Sequence, residues 1–478
     1  MKKLLIILFF FSATFLSSGC KKSFITDVIS PTYISQDGYY TSDIAFQGAL
    51  TGIYGYLRVV YNPFFRLAEV PSDNTLSTAT VNADTGPLDG LTWLTSDVNV
   101  LACWKNAYSE ISYSNNFIEQ LNSYNMSDTA QKARWIGEAK FVRALMYFNL
   151  VRFYGDIPLV LKKLNSDAES YNYLRVPVAD VYVQIIKDLQ DAETAGLPVK
   201  YTAATDIGKV TVGAVKSLLG KVYLTQARWS DAANKLKELL PGNTFGISYS
   251  LLPNYADVFS ITNETNAEII FSVQYARGTS KEGSNFCQYF FPSQSGVDLL
   301  TNLQAKGLNQ GTKSLYNLFG TGDTRKITAI QSYTNSTTTY YTRKYVDNPP
   351  VAGEGENNWI VLRYADVVLM YAEALNELNN ATAATYLNQI RARAGLAAKT
   401  GLTQAALRTQ IDLDRRLELC FEGHRWFDLV RTGNMVTALQ TEWAADGFSF
   451  IAAPYRSLFP IPFRDVTLNP NLTQNPGY

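Results

Sequence analysis

The sequence predicts a mainly α-helical fold interrupted by one long loop-rich segment. Three observations predict it. Apolar residues recur at spacings of three and four along stretches that fill most of the first half of the chain. Residues 242–358 then change character and become rich in Asn, Ser, Thr, Gly and Tyr. Helical periodicity returns from about residue 359 to 440.

Taken in order, the chain starts with an export signature. Lys2 and Lys3 give a positive start, Leu4 to Phe15 form a 12-residue apolar core, and Ser17, Ser18 and Gly19 lead into Cys20. That core fits the ~7–15 residues of a secretory signal and falls short of the ~20 that span a bilayer. Small residues before a cysteine resemble the lipobox of bacterial lipoproteins, with Leu16 standing four before the cysteine instead of three. Residues 1–19 are expected to be a signal peptide, Cys20 the lipidated residue, and residues 20–35 a polar tether containing Pro31. Two acyl chains on Cys20 give stable anchoring, since each buried methylene contributes roughly 0.8 kcal/mol. No later segment is apolar enough to span a membrane.

Beyond the tether, helices are expected at about 41–60, 101–122, 129–154, 178–194, 210–227 and 229–240. The pair at 210–240 is the most informative. Leu219-Gly220 is followed by Tyr223, Ala232 stands twelve after Gly220, and Pro241 closes the unit. These spacings match a tetratricopeptide repeat, in which small residues let two helices approach and a tyrosine fills the gap between them. Trp229-Ser230-Asp231 is expected to supply the turn and an N-cap. In the second block, Leu362, Ala365, Leu369, Ala372 and Leu375 share one helical face, and residues 382–394 end at Gly395, a suitable C-cap. Between the blocks, 268–275 reads as a strand. The tail from Pro454 reads as extended. Residues 36–240 therefore form an N-terminal helical region and 241–478 a C-terminal region that carries the 242–358 insertion.

Composition narrows the function. The 478 residues hold 42 basic and 42 acidic side chains; loss of residues 1–19 leaves 40 against 42. Such a balance without a basic cluster argues against a nucleic-acid partner. After Cys20 the cysteines are Cys103, Cys287 and Cys420. They form no CxxC pair, so neither a zinc knuckle nor a redox motif is expected. One disulfide among them is possible, and three buried thiols are the blander reading. His424 is the one histidine, which excludes any site needing two. HExxH, GxSxG and phosphate loops are absent, so no metal or cofactor is expected.

Residues 415–431 imitate chemistry. Arg415–Glu418, Glu422–Arg425, Arg425–Asp428 and Asp428–Arg431 are i,i+3 pairs that would stabilise one continuous helix. His424 on its other face is then a packed residue, not a base. The carboxylate pairs Glu373 with Asp366 and Glu418 with Glu422 suggest a glycosidase, but Arg and Tyr neighbours point to structural pairing.

Three stretches together resemble the SusD/RagB family of outer-membrane nutrient-uptake lipoproteins. They are residues 138–159 (EAKFVRALMYFNLVRFYGDIPL); residues 362–375 (LRYADVVLMYAEAL) with 415–431 (RRLELCFEGHRWFDLVR); and Phe459-Pro-Ile-Pro462 with residues 469–478 (NPNLTQNPGY). Gly322-Asp-Thr-Arg325 fits the same pattern. The resemblance implies a tetratricopeptide-like helical bundle with a loop-rich ligand-binding face. It also implies a cell-surface, non-catalytic protein that caps a SusC-like TonB-dependent transporter and captures oligosaccharide, or peptide in some members.

Sugar recognition needs flat aromatic faces for ring C–H groups and fixed polar groups for hydroxyls. Asp73, Asn74 and Trp93, in loops before the 101–122 helix, are candidates on that ground. So are the aromatic clusters Tyr289, Phe290 and Phe291, and Tyr340, Tyr341 and Tyr345. The expected activity is glycan capture for import. Peptide binding is its nearest rival, a surface glycosidase or a pure scaffold the more distant ones.

Overall fold

Helix boundaries follow local chemistry. In the computed structural model, which describes residues 36–76, 84–278, 282–449 and 451–478, α1 spans Asp43–Tyr61 and the one-turn α2 spans Phe65–Ala68. The expected signal peptide, Cys20 and the tether lie outside the described residues. Helix α3 (Val98–Ser123) starts where the Asp97 carboxylate accepts from Asn99 N and Val100 N. Helix α4 (Thr129–Tyr154) starts at Asp128, which accepts from Gln131 N, and stops at Gly155, whose φ of 72° suits a residue without a Cβ. Helices α5 (Val178–Glu193), α6 (Val212–Thr225) and α7 (Trp229–Lys237) follow. The chain falls into the units Met1–Gly48 and Ala49–Tyr478; everything below concerns the second.

The tetratricopeptide spacing is physically realised between α6 and α7. A Cβ added at Gly220 would lie 2.6 Å from Leu236 Cδ2, so only glycine allows this approach. Tyr223 is buried beside the junction, and the Arg228 guanidinium lies 4.4 Å from its ring centroid. The expected cap differs: α7 begins at Trp229 without a side-chain cap, and Asp231 pairs with Arg228 at 2.6 Å.

The loop-rich segment contributes α8 (Phe286–Phe290), β1 (Ile269–Val273) and the hairpin β2 (Gln331–Thr334) and β3 (Thr338–Tyr341). Residues 359–363, expected to open a helix, form β4 (Trp359–Arg363), antiparallel to β1 with Ile269 opposite Arg363. All five residues of β4 are buried, which explains why their apolar run imitated a helical face.

Helices α9 (Tyr364–Glu377), α10 (Ala383–Arg393), α11 (Gln404–Leu419), α12 (Arg425–Arg431) and α13 (Met435–Ala445) complete the bundle, and α14 (Phe463–Leu468) interrupts the tail. Neighbours stack in series: α3 on α4, α4 on α5, α5 on α6, α6 on α7. Helix α7 then packs on α9, and α9 on α10 and α11. The helical stack thus continues across the insertion as one mainly α, repeat-type bundle.

The continuous 415–431 helix does not form. It breaks between α11 and α12, where Phe421 (φ 64°) and Gly423 (φ 75°) take left-handed conformations. Of the four i,i+3 pairs only Asp428–Arg431 closes, at 2.9 Å. The other charges turn inward to distant partners. Arg363, fully buried, binds Glu268 (2.8 Å), Glu418 (2.7 Å) and Glu422 (2.7 Å). Arg325 of the Gly322-Asp-Thr-Arg325 motif binds Asp323 at 2.7 Å and Glu418 at 3.3 Å. Lys344 closes on Glu422 at 2.6 Å. Burial alone would raise the Glu418 pKa; Arg393, Arg363 and Arg325 outweigh it and hold the carboxyl well below the usual range.

Candidate functional site

The loop after α2 is fastened from below. Glu69 is fully buried and accepts from Asn74 Nδ2 (2.9 Å), Phe421 N (2.7 Å) and Gly423 N (3.0 Å). It therefore caps the very turn that breaks α11 from α12. Burial lifts its pKa to about 7 against the pull of those donors. Asp73 accepts from Arg425 Nε at 2.8 Å and Nη2 at 3.0 Å, and Arg416 lies 3.2 Å away. Burial opposes ionisation of Asp73, yet Arg425 and Arg416 hold its pKa at about 2. Asn74 Oδ1 accepts from Arg416 Nε at 2.9 Å. Backbone bonds extend the fastening: Leu76 N to Gln310 O (2.9 Å), Thr312 N to Asn74 O (3.0 Å) and Gly311 N to Tyr340 O (2.8 Å).

Several candidates named from sequence are accordingly corrected. Asp73 (2 % exposed) and Asn74 (0 %) spend their polar atoms on arginines and Glu69. Trp93 is 1 % exposed. Its ring packs 4.5 Å from Phe459, and its Nε1–H donates to Tyr478 Oη at 2.7 Å. Phe290 is buried between Phe65 and Tyr345, each 4.8 Å away by ring centroid. Tyr345 stacks on Trp359 at 5.8 Å, and its hydroxyl donates to Phe421 O at 3.0 Å. Tyr341 is buried against Phe291 at 5.3 Å. None of these six offers an open face in this structure.

Tyr289 and Tyr340 remain half-buried. Tyr340 lies 4.8 Å from Tyr316. Tyr289, on α8, has the richer surroundings. The Arg66 guanidinium sits 5.2 Å and the Lys306 ammonium 5.4 Å from its ring centroid. Lys306 is brought there by short backbone pairing: Lys306 N to Gln288 O at 2.7 Å and Leu308 N to Tyr289 O at 2.6 Å, with Gly307 between them at φ 62°. Arg66 pairs with Asp84 at 2.9 Å, and Asn99 Nδ2 donates to Asp84 Oδ1 at 3.3 Å. Arg66 Nε is buried without an acceptor among the described residues.

This gathers one aromatic face, two cations and a carboxylate on a loop platform locked by buried ion pairs. Such a set grips ring C–H faces and hydroxyls by stacking and hydrogen bonding. Sequence reading missed Arg66 and Lys306. A usable signal existed for the second, the one basic residue between Lys281 and Lys313.

The carboxylates that suggested acid–base work are engaged elsewhere. Asp366 binds Lys221 (3.0 Å) and Arg415, and Glu373 binds Arg431. His424 Nδ1 lies 3.0 Å from Lys221 Nζ. Burial, then Lys221, depresses its pKa to about 3. Cys103, Cys287 and Cys420 are buried free thiols.

Comparison with known proteins places these features. A family described as "SusD family" matches residues 327–478, and one described as "Starch-binding associating with outer membrane" matches residues 35–224. A SusD-like protein of Formosa agariphila is 30 % identical over 431 residues, covering 80 % of each chain. The chain belongs to the SusD family. A starch-binding protein SusD of Bacteroides thetaiotaomicron is 23 % identical over 496 residues, covering 87 % of this chain and 86 % of its own. Among solved structures, a laminarin-binding SusD-like protein superposes with a TM-score of 0.78 at 28 % identity, covering 92 % of this chain and all of its own. Surface glycan-binding protein A from Bacteroides fluxus shares the fold at a TM-score of 0.80 and 21 % identity, over 92 % of this chain and all of its own. Within this SusD-family chain, Arg66 and Asp84 fall inside a family match, whereas Tyr289 and Lys306 fall between the two.

Proposed function

We propose that this SusD-family protein captures oligosaccharide at the outer face of the outer membrane and presents it to a SusC-like TonB-dependent transporter. Cys20 would carry the lipid and residues 20–35 the tether. The observation that carries the reading is the Tyr289 platform: a half-exposed ring flanked by Arg66 and Lys306 and backed by the Arg66–Asp84 pair. Names of relatives that bind starch, laminarin or surface glycans support the ligand class. Holding ligand between a loop face and a transporter mouth raises its effective concentration there without a covalent step. The inward ion pairs of Asp366, Glu373, Glu418 and Glu422 support binding over hydrolysis.

The test is a glycan array probed with protein lacking residues 1–20. Binding to one polysaccharide class, weakened roughly tenfold by Tyr289→Ala as expected for loss of a ring contact, supports the reading. A blank array with folded protein overturns it, and binding to a peptide array instead assigns the two cations to peptide carboxylates.

A further inference from the structure

A second cleft lies away from Tyr289 and shares no lining residue with that platform. It has a volume of about 410 Å³, within the roughly 300–1,000 Å³ of small-ligand sites. One side is α3, where Lys105, Tyr108, Ser109 and Ser112 follow one another at helical spacing. The opposite side is the connection between α4 and α5, which contributes Tyr171 and Tyr173. The third is α14 and its flank, with Arg464, Asp465 and Asn469.

The walls are held in place by bonds that spare the aromatic faces. Tyr108 Oη donates to Pro158 O at 2.8 Å, and Asn115 Nδ2 donates to Val160 O at 2.9 Å. Asn471 Nδ2 ties the tail to Tyr171 O at 3.1 Å. Helix α14 buries none of its side chains. Yet Phe459 and Ile461 before it, and Asn469 and Leu472 after it, are buried and pin it over the cleft. Tyr171 and Tyr173 are half-buried, and no second ring packs on either among the described residues.

Charge in the cleft is only partly opposed: Lys162 pairs with Glu169 at 2.6 Å, whereas Lys105 and Arg464 line the cleft without an ion pair among the described residues. Asp465 Oδ2 is buried without a donor among the described residues, and burial raises that carboxyl's pKa. Tyrosine faces beside serine hydroxyls and amides suit a hydroxyl-rich ligand, to whose oxygens Lys105 and Arg464 can donate. We propose that the cleft between α3, the Tyr171–Tyr173 connection and α14 is a second saccharide-binding site, taking a short stretch of a glycan. The ligand class rests on the glycan-capture reading; the site rests on the cleft.

The experiment is isothermal titration of laminarin, soluble starch and any further polysaccharide that the array returns, each with its fragments from disaccharide upward. The proteins are the parent, Tyr171→Ala/Tyr173→Ala, Ser112→Trp and Tyr289→Ala. Ser112 is exposed on α3, so tryptophan there fills the cleft without disturbing the core, and circular dichroism checks each fold. The expected result is two fragments bound per parent chain and one per chain for each variant. A single fragment whose binding is lost in the cleft variants and kept in Tyr289→Ala also supports the cleft. A single fragment lost only in Tyr289→Ala overturns the cleft and leaves glycan capture standing. No saccharide binding by the folded parent overturns both.

Discussion

Around Arg363, charge is withdrawn from water and answered from several directions at once: Glu268, Glu418 and Glu422 meet one guanidinium, while Arg325, Arg393 and Lys344 meet the same carboxylates. Around Tyr289, by contrast, the ring is half-open and its cations lie over its face. The first region joins β4, α11, the turn before α12 and the insertion; the second rides on the short helices α2 and α8 and the Lys306 loop. The lesson is that the denser cluster of ionisable groups is the fastening, and the sparser, aromatic one is left with surface for the proposed ligand. Desolvated, mutually satisfied charges fix geometry, while partly exposed rings keep adhesive surface.

The comparison is broken most severely at Arg363. Arg363→Met would leave Glu268, Glu418 and Glu422 converging without their shared cation. Removing one partner of such a buried cluster costs about 3–5 kcal/mol, read as a lower urea midpoint. An unchanged midpoint would mean that the network is ornamental. Gly220→Val tests the helical stack independently: its Cβ meets Leu236 at 2.6 Å, and overpacking of this kind costs about 1–3 kcal/mol. The same urea titration, read beside unchanged glycan affinity, separates stack from face.

A pH series sharpens the contrast further. His424 faces Lys221, Asp366, Arg415 and Glu422, and its pKa falls from 6.5 to about 3. The folded chain thus refuses a proton that the unfolded chain accepts. This contribution is intact above about pH 6.5 and is lost as pH falls toward 3. His424→Gln removes that titration, so the stability gap between parent and variant should narrow across this window in melting curves. A gap independent of pH would mean that His424 takes up its proton equally readily in the folded and unfolded chains. The smallest stability effect belongs to the face. Tyr289→Ala should change stability by no more than about 0.5 kcal/mol while weakening glycan binding.

Much of the helical framework was legible because it depends on near neighbours. Helix α4 runs over 129–154 as expected from sequence, and the Gly220–Leu236 approach follows the repeat spacing. What local pattern could not reveal was pairing across long separations. Asp73 and Asn74 read as loop polar groups, yet their partners Arg416 and Arg425 stand 342 and 352 positions away. Trp93 reads as a loop aromatic, yet Tyr478 supplies its hydrogen-bond partner 385 positions on. The break at Phe421 was hidden for the same reason, since Glu69 caps it from 352 positions upstream. Of the candidate ligand face, Tyr289 was legible as one of an aromatic cluster; Arg66 was not, because its place beside that ring depends on the fold.

The contact between α7 and α9 has a consequence for how such a chain can diversify. The insertion leaves and rejoins the stack between two helices that touch each other. Doubling a loop with fixed ends costs only about 0.6 kcal/mol in closure entropy. Stretches of the insertion away from Glu268, Arg325 and Lys344, which are tied into the buried charge network, can therefore change in length while the helical frame stays in register.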